Sequence, residues 1–540
     1  MTAMGHSFGE PSSLQRTFYA GRIVDRNGNW FNLSYNFLPI GVYALSQITT
    51  SDGRSVSFAY SGSTLASITD TLSNQVWQYT VGAGSAGHVQ LNRVQRPDGL
   101  SWTYAYRTGT PGTGSMSRIG YPGGATIDYV YSHVDFRAGT TRSGNSTVVS
   151  SKTASTNTPD GKSGTWNWTY EVATDELPYT VNGSQYTYTY GVPPDVRSQV
   201  NVTTVTDPLG KSTEHFHLGV HSVRVVPTDV GLLMGSVSES ENTLFGYTSV
   251  PISEQQDVVA NYFSNSYFYP AAAIVREQYR FRPGETFVIS RSGHDEWGNP
   301  SFINETGTNN DRTYTRQTEL THNVNTSKWL LRQVSNALVT VGAQTHATTR
   351  QFDGNGNLQS QTVAGVPTSF TYHSTGDVHT TTNAKGQVTT YNSYLRGIPR
   401  SESQPEGVAI SRNVDAAGNV TSITNGRGKT TTYTYDGLNR PTSITKPIGT
   451  PISITWGATT RQVQRGGMTD KATFDGLGRQ LRREVSAAGE MPIWVDFSYD
   501  MLGRRLYQSY PNSSKGTGFR YDTLGRVVQT CADSTTTETI

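Results

Sequence analysis

Glu214-His215-Phe216-His217, with His221 following, sets two imidazoles two residues apart. In a strand such residues share a face, the geometry from which two histidines grip a metal ion. A repeat in the chain offers another reading. When Gly210 is aligned with glycines elsewhere, His215 and His217 fall where other copies carry Tyr433 and Tyr435, so they read as aromatic substitutes. The carboxylates Asp295, Glu296, Glu484 and Asp496 show no spacing that pairs any two as general acid and base, and Asp295 sits in a turn motif. No GxSxG, P-loop or HExxH motif occurs, and the single cysteine, Cys531, has no assignable histidine partner. We therefore assign no catalytic, cofactor-binding or metal residue and expect a non-enzymatic protein.

Aromatic residues are the richer signal. Trp102, Tyr104 and Tyr106 alternate with Thr103 and Ala105, so one strand face is aromatic and the other small or polar. Exposed aromatic rows stack on sugar rings, which makes Trp102, Tyr104 and Tyr106 candidates for glycan contact; cross-strand packing is the alternative.

Two recurring half-units position these residues. One is Tyr or Phe, Asp, two variable residues, Gly, and Arg or Asn, with its turn at Asp353 and Gly356, Asp475 and Gly478, Asp500 and Gly503, and Asp522 and Gly525. Aspartate accepts a bond from a nearby backbone N–H, and glycine takes the positive φ that returns the chain. Asp436 opens a further copy in which Asn439 replaces glycine, and asparagine is the residue that next best tolerates the left-handed region. The other half-unit is Gly followed by aromatics at plus five and plus seven, as in Gly53-Phe58-Tyr60, Gly99-Tyr104-Tyr106, Gly183-Tyr188-Tyr190 and Gly428-Tyr433-Tyr435. A step of 21 or 22 residues between aspartates accommodates two strands and two turns, so the repeat unit is a hairpin.

Composition agrees. Apolar residues make up 34% and charged residues 16% of the 540, Tyr (30) leads the aromatics, and the rest suits half-exposed strands and tight turns. Forty-three Lys and Arg against 41 Asp and Glu leave +2, with no basic stripe to neutralise a phosphate backbone, so nucleic acid is not an expected partner. One cysteine excludes an internal disulfide framework. Neither a signal peptide nor an apolar run long enough for a membrane span is visible. The pattern divides the chain into degenerate aromatic repeats over 1–230, a less regular β segment or insertion over 231–345, and regular repeats over 346–540 that read as truncated at their end.

YDGLNR, FDGLGR, YDMLGR and YDTLGR resemble the YD-repeat signature of Rhs proteins, shared with toxin-complex C components, wall-associated proteins and teneurins. The resemblance is strongest from Phe352 to Thr530. It implies an all-β fold, a hairpin sheet coiled spirally into a hollow shell, with a β-propeller as the alternative; a parallel β-helix fits less well because its coils lack hairpin turns. It further implies a secreted or cell-surface shell or scaffold segment working in toxin encapsulation, delivery or cell contact. The expected partners are a companion Rhs-type chain, a cargo polypeptide, or another copy through exposed sheet edges. A carbohydrate-binding protein and a glycan-active enzyme are the alternative functions. At ~3.3 Å per residue and ~4.8 Å between strands, with about half the chain in strands, a closed sphere would have a radius of roughly 18 Å. That lumen would hold a peptide or a very small domain.

Overall fold

The computed structural model describes residues 3–6, 17–84, 89–136, 145–156, 163–172, 179–182, 185–188, 200–218, 233–238, 242–249, 272–282, 284–310, 312–522 and 525–535. Their regular structure is β-strand apart from two short 3₁₀ turns, Thr326–Lys328 and Pro405–Gly407. One antiparallel ladder runs from Arg22–Val24, which pairs with Trp30–Phe37, to Val527–Ser534, which pairs with Gly516–Tyr521. Nearly every strand pairs with its sequence neighbours, as short turns dictate. The exception lies at Ser163–Glu171, which pairs with Val200–Thr206, while the hairpin Tyr179–Asn182 with Gln185–Tyr188 branches off to touch Thr248 and Tyr247. Such continuous pairing leaves no separate blades, which removes the propeller alternative, and no described pairing joins the first strand to the last.

Contacts far apart in sequence show how the ladder is wound. Arg26 Nη1 donates to the carbonyl of Gly356 at 3.1 Å, Asn357 Nδ2 to Asn27 Oδ1 at 3.1 Å, and Asn29 Nδ2 to the carbonyl of Thr375 at 2.7 Å. Further along, Arg396 Nη1 donates to the carbonyl of Asp52 at 2.6 Å and Gln75 Nε2 to Asn439 Oδ1 at 3.2 Å. These partners are 330 to 364 residues apart, and they rise together along the chain. The sheet therefore completes a revolution and lays the turns of its second coil on the turns of its first.

Twenty-one ladder strands separate the turn at Asp25 from the turn at Asp353 that lies against it. At ~4.8 Å per strand the circuit is about 100 Å, a backbone radius of about 16 Å if round. A wall of one layer has little to bury. The accessible surface is 31333 Å², against about 19,000 Å² for a compact monomer of this mass. Among the described residues the fully enclosed large side chains are Tyr507, Phe216 and Val202.

Tyrosine hydroxyls supply what a core does not. Tyr60 donates to the carbonyl of Leu45, Tyr106 to Leu91, Tyr131 to Met116 and Tyr435 to Val420, at 2.7 to 2.9 Å. Each target lies two residues beyond the last pair of its ladder: Gln47 with Ser57, Arg93 with Thr103, Arg118 with Asp128, and Ser422 with Thr432. Tyr35, Tyr170, Tyr372, Tyr394 and Tyr521 obey the same rule, and at Trp456 the indole N–H replaces the hydroxyl and bonds Pro441. The ring closes the frayed end of the ladder, satisfying a carbonyl that strand pairing leaves open. Tyr435→Phe removes that single bond and should lower stability by about 1 kcal/mol in urea denaturation; an unchanged midpoint would remove the hydroxyl from this role.

Candidate functional site

The seam between the coils is built largely from one kind of turn. At Asp436 the backbone N–H donates to the carbonyl of Arg440 at 2.9 Å, and the Asn439 N–H returns to the carbonyl of Asp436 at 3.0 Å. Asp436 Oδ1 accepts from the N–H groups of Leu438 and Arg440 at 2.9 and 3.0 Å, while Oδ2 accepts from Arg440 Nε at 2.7 Å. Asn439 closes the turn at a φ of 60°. Asp353, Asp475 and Asp500 sit in the same bond pattern, with Gly356, Gly478 and Gly503 at φ of 79°, 87° and 87°. Asp522 accepts from Arg526, and Gly525 has a φ of 77°. One carboxylate therefore satisfies the backbone donors of its own turn and still holds the residue that leaves it.

That departing residue reaches to the next turn. The Arg479 guanidinium, held by Asp475, donates to the carbonyl of Asp500 at 3.0 Å and lies 5.3 Å from the Tyr499 ring centroid. Arg504 lies 4.8 Å from Tyr521, and Arg440 lies 5.3 Å from Trp456. Where the turn ends in asparagine the same link uses an amide, Asn419 Nδ2 to Asn439 Oδ1 at 3.0 Å. The turns thus form a chain along the rim.

Across the seam, Arg440 Nη2 also stands 3.5 Å from Asp98, which pairs with Arg96. Arg396 reaches Asp52 at 3.3 Å, and Asp52 is bound by Thr50 and Arg54. Burial alone would raise the Asp52 pKa, but hydrogen bonds from Thr50 and Arg54 outweigh it and hold the group down at about 2. Asp436 is displaced downward for the same reason, burial being outweighed by the Arg440 bond. Farther along, backbone meets backbone: a Cβ built on Gly123 would stand 3.0 Å from Gly476, and Ala125, against which Gly476 lies, is wholly buried. Two clefts open along the same seam, one of about 850 Å³ between the turns at Asp25 and Asp52 and those at His373 and Arg396, the other of about 450 Å³ beside Gln75 and Asn439.

The aromatic candidates lie away from this seam chemistry only in part. Trp102 stacks on Trp77 with centroids 6.3 Å apart and planes 15° apart, and Arg96 from the seam turn lies 5.4 Å from its ring. Tyr104 is half-buried, which raises its pKa, and Tyr106 donates to Leu91. His215 and His217 lie half-buried on Ser212–Leu218 opposite Thr203 and Asn201, and burial lowers both pKa values. No group of three or more metal-ligating side chains occurs among the described residues. Asp295 bonds the N–H groups of Trp297 and Asn299 in a turn of the seam type, and Asp496 pairs with Arg482. Gly183 and Tyr190 lie outside the described residues.

Sequence reasoning missed the first-coil side of this seam, Asp52, Asp98 and Ala125, and the linking role of the arginines. A signal was present: Asp25-Arg26-Asn27-Gly28-Asn29 is the same turn motif.

Residues 414–450, which contain the Asp436 turn, match the family model described as RHS Repeat. The chain carries an RHS repeat. No curated protein matches the sequence. Among solved structures, the crystal structure of TcdB2-TccC3-Cdc42 is similar over 93% of this chain and 29% of its own, at 10% identity and a TM-score of 0.34. A Photorhabdus luminescens Tc holotoxin pore with a mutated TccC3 matches over 93% and 29%, at 10% identity and 0.35. The crystal structure of TcdB2-TccC3 matches over 98% and 38%, at 10% identity and 0.30. The chain spans about a third of the length of these solved chains.

Two outcomes test the seam around the RHS repeat. Gly476→Val places side-chain atoms against the backbone of Ala125 and should cost about 1–3 kcal/mol as the overpacked coils part, read by urea denaturation. Asp52 has a folded pKa below its unfolded value of about 3.9, so its contribution is complete above that pH and is lost as pH falls through about 2. Stability should decline between pH 4 and pH 2, and Asp52→Asn should make the decline shallower; equal slopes would deny Asp52 this role.

Proposed function

We propose that this chain is a wall segment of a shell, a non-enzymatic scaffold that encloses polypeptide cargo in a secreted or surface toxin assembly. The observation that carries the reading is the winding itself: one antiparallel sheet whose turns meet after 330 to 364 residues, with hardly a side chain fully enclosed. Such a surface separates two spaces, and among the described residues no element lies inside it. The RHS repeat within it supports the same reading.

The dimensions restrict the cargo. A backbone radius of about 16 Å, less side chains of several ångströms, leaves room for an extended chain or a helix 10–12 Å across. A folded domain of about 100 residues, with a radius of gyration of about 13 Å, would not fit. A companion Rhs-type chain that completes the enclosure belongs to this proposal, as does an extracellular setting. No helix among the described residues is long and apolar enough to cross a membrane.

Glycan binding through the aromatic face has weaker support, because Trp102 is engaged by Trp77 and Arg96 and the Tyr106 hydroxyl by Leu91.

Small-angle X-ray scattering on the mass-checked protein tests the wall. The expected distance distribution is that of a hollow particle, with more long distances than a solid body of equal mass. A profile that fits a solid globule of 58.9 kDa would overturn the reading.

A further inference from the structure

Pairing is antiparallel from Arg22–Val24 to Val527–Ser534, so the hairpin turns alternate between the two ends of the strands. At the seam the first coil offers one end, with the turns at Asp25, Asp52 and Asp98, and the second coil offers the opposite end, with those at Asp353, Arg396 and Asp436. Two rims take no part in it. One is the far end of the first coil, with described turns at 38–42, 62–63, 107–115, 293–301 and 326–329. The other is the far end of the second coil, with turns at 364–365, 383–387, 404–408, 425–429, 446–451, 466–467, 488–492 and 510–515.

These rims are the same two kinds of strand end that the seam already joins. Setting the second coil's rim of one copy on the first coil's rim of the next brings unlike ends together, on coils whose curvature already matches along the seam. Two like rims set face to face would join ends of one kind, a junction the wall never makes.

Apolar tips stand out from both rims. On the first coil Ile40 is 65% exposed between Phe37 and Val42, and Trp329 is 67% exposed. Trp329 holds a φ of 54°, in the left-handed region that bulky residues rarely enter, so the turn Thr326–Lys328 keeps an indole at its tip, edge-on to Trp297, at a cost in backbone strain. On the second coil Ile448 is 83% and Met491 85% exposed. Charge decides which rims can meet. Around the second coil's rim Lys385, Arg427, Lys429, Lys446, Arg465 and Lys515 outnumber Glu406, Glu490 and Asp533. Two such rims repel each other, whereas the first coil's rim has Asp135, Glu171, Asp295 and Glu296 among its described turns and strand ends.

We propose that copies of this chain stack head to tail, the second coil's rim of one on the first coil's rim of the next, in an open series that prolongs the lumen. The stacking follows from the winding and holds whatever the lumen encloses. Sedimentation velocity of the full chain over a rising concentration series tests it. Association should continue past the dimer, because an unlike junction leaves one rim of each kind exposed at the ends. Two variants then separate the rims. Joint Arg427→Glu, Lys429→Glu, Ile448→Asp and Met491→Asp disables the second coil's rim, and Ile40→Lys with Trp329→Lys disables the first coil's. Each variant alone should remain monomeric, and an equimolar mixture should form a complex of two chains and none larger. All six positions are exposed, and circular dichroism checks that the variants remain folded. The milder Ile448→Ser, at a single turn tip, should by itself weaken association about tenfold. A chain that stays monomeric throughout the series would overturn the proposal. So would association that stops at the dimer, a rim variant that associates as the unaltered chain does, or two variants that stay apart when mixed.

Discussion

A sheet one layer thick cannot rely on a hydrophobic core, and everything else in this protein follows from that constraint. Globular domains hold strands in register by burying one face against another element. Among the described residues that face has no partner layer, and the largest wholly enclosed side chains are three. Specification passes to the strand ends, where polar bonds with fixed geometry take over.

The repeated residues divide that work. The tyrosine reaches back to an open carbonyl on the preceding strand, as Tyr435 does to Val420. The aspartate closes its own turn, and glycine or Asn439 supplies the left-handed residue. The arginine reaches forward, as Arg479 does to the carbonyl of Asp500 and the ring of Tyr499. Each contact is local along the ladder, so the wall can lengthen by adding hairpins without altering those already present. Among the described residues the two coils meet at the seam, and there the side chains are again largely turn residues: Arg440 holds Asp436 while lying near Asp98.

The all-β class and the hairpin period were legible because both are written in local spacing. Strand alternation showed in Trp102, Tyr104 and Tyr106, and the turn chemistry in aspartate and glycine three apart. The seam was not legible, since nothing local in Arg440 states that Asp98 lies beside it. Tyrosine at plus seven stood out as an aromatic, yet its hydroxyl bond depends on where the neighbouring ladder stops, which periodicity does not reveal. Winding also carried the lumen estimate from roughly 18 Å, taken from area alone, to about 16 Å from strands counted around one circuit.

The least regular part of the sequence has a geometric reason. In the first coil the seam turns at Asp25 and Asp207 lie at one end of the strands, since the ladder strands between them are even in number. The turns at Asp295 and Asp353 are likewise at one end, with four strands between them. From the turn at Asp207 to the turn at Asp295, however, there are five: Ser212–Leu218, Leu233–Ser238, Asn242–Ser249, Ala272–Arg282 and Glu285–Ser292. An odd count moves the motif to the opposite end. That change is obligatory, because the edge the first coil offers to the seam is met by the other edge of the second. A strictly periodic hairpin repeat would keep its aspartates at one end indefinitely and could never bring both coils' turns face to face. The exchange falls between Asp207 and Asp295, a stretch that runs into the less regular segment 231–345.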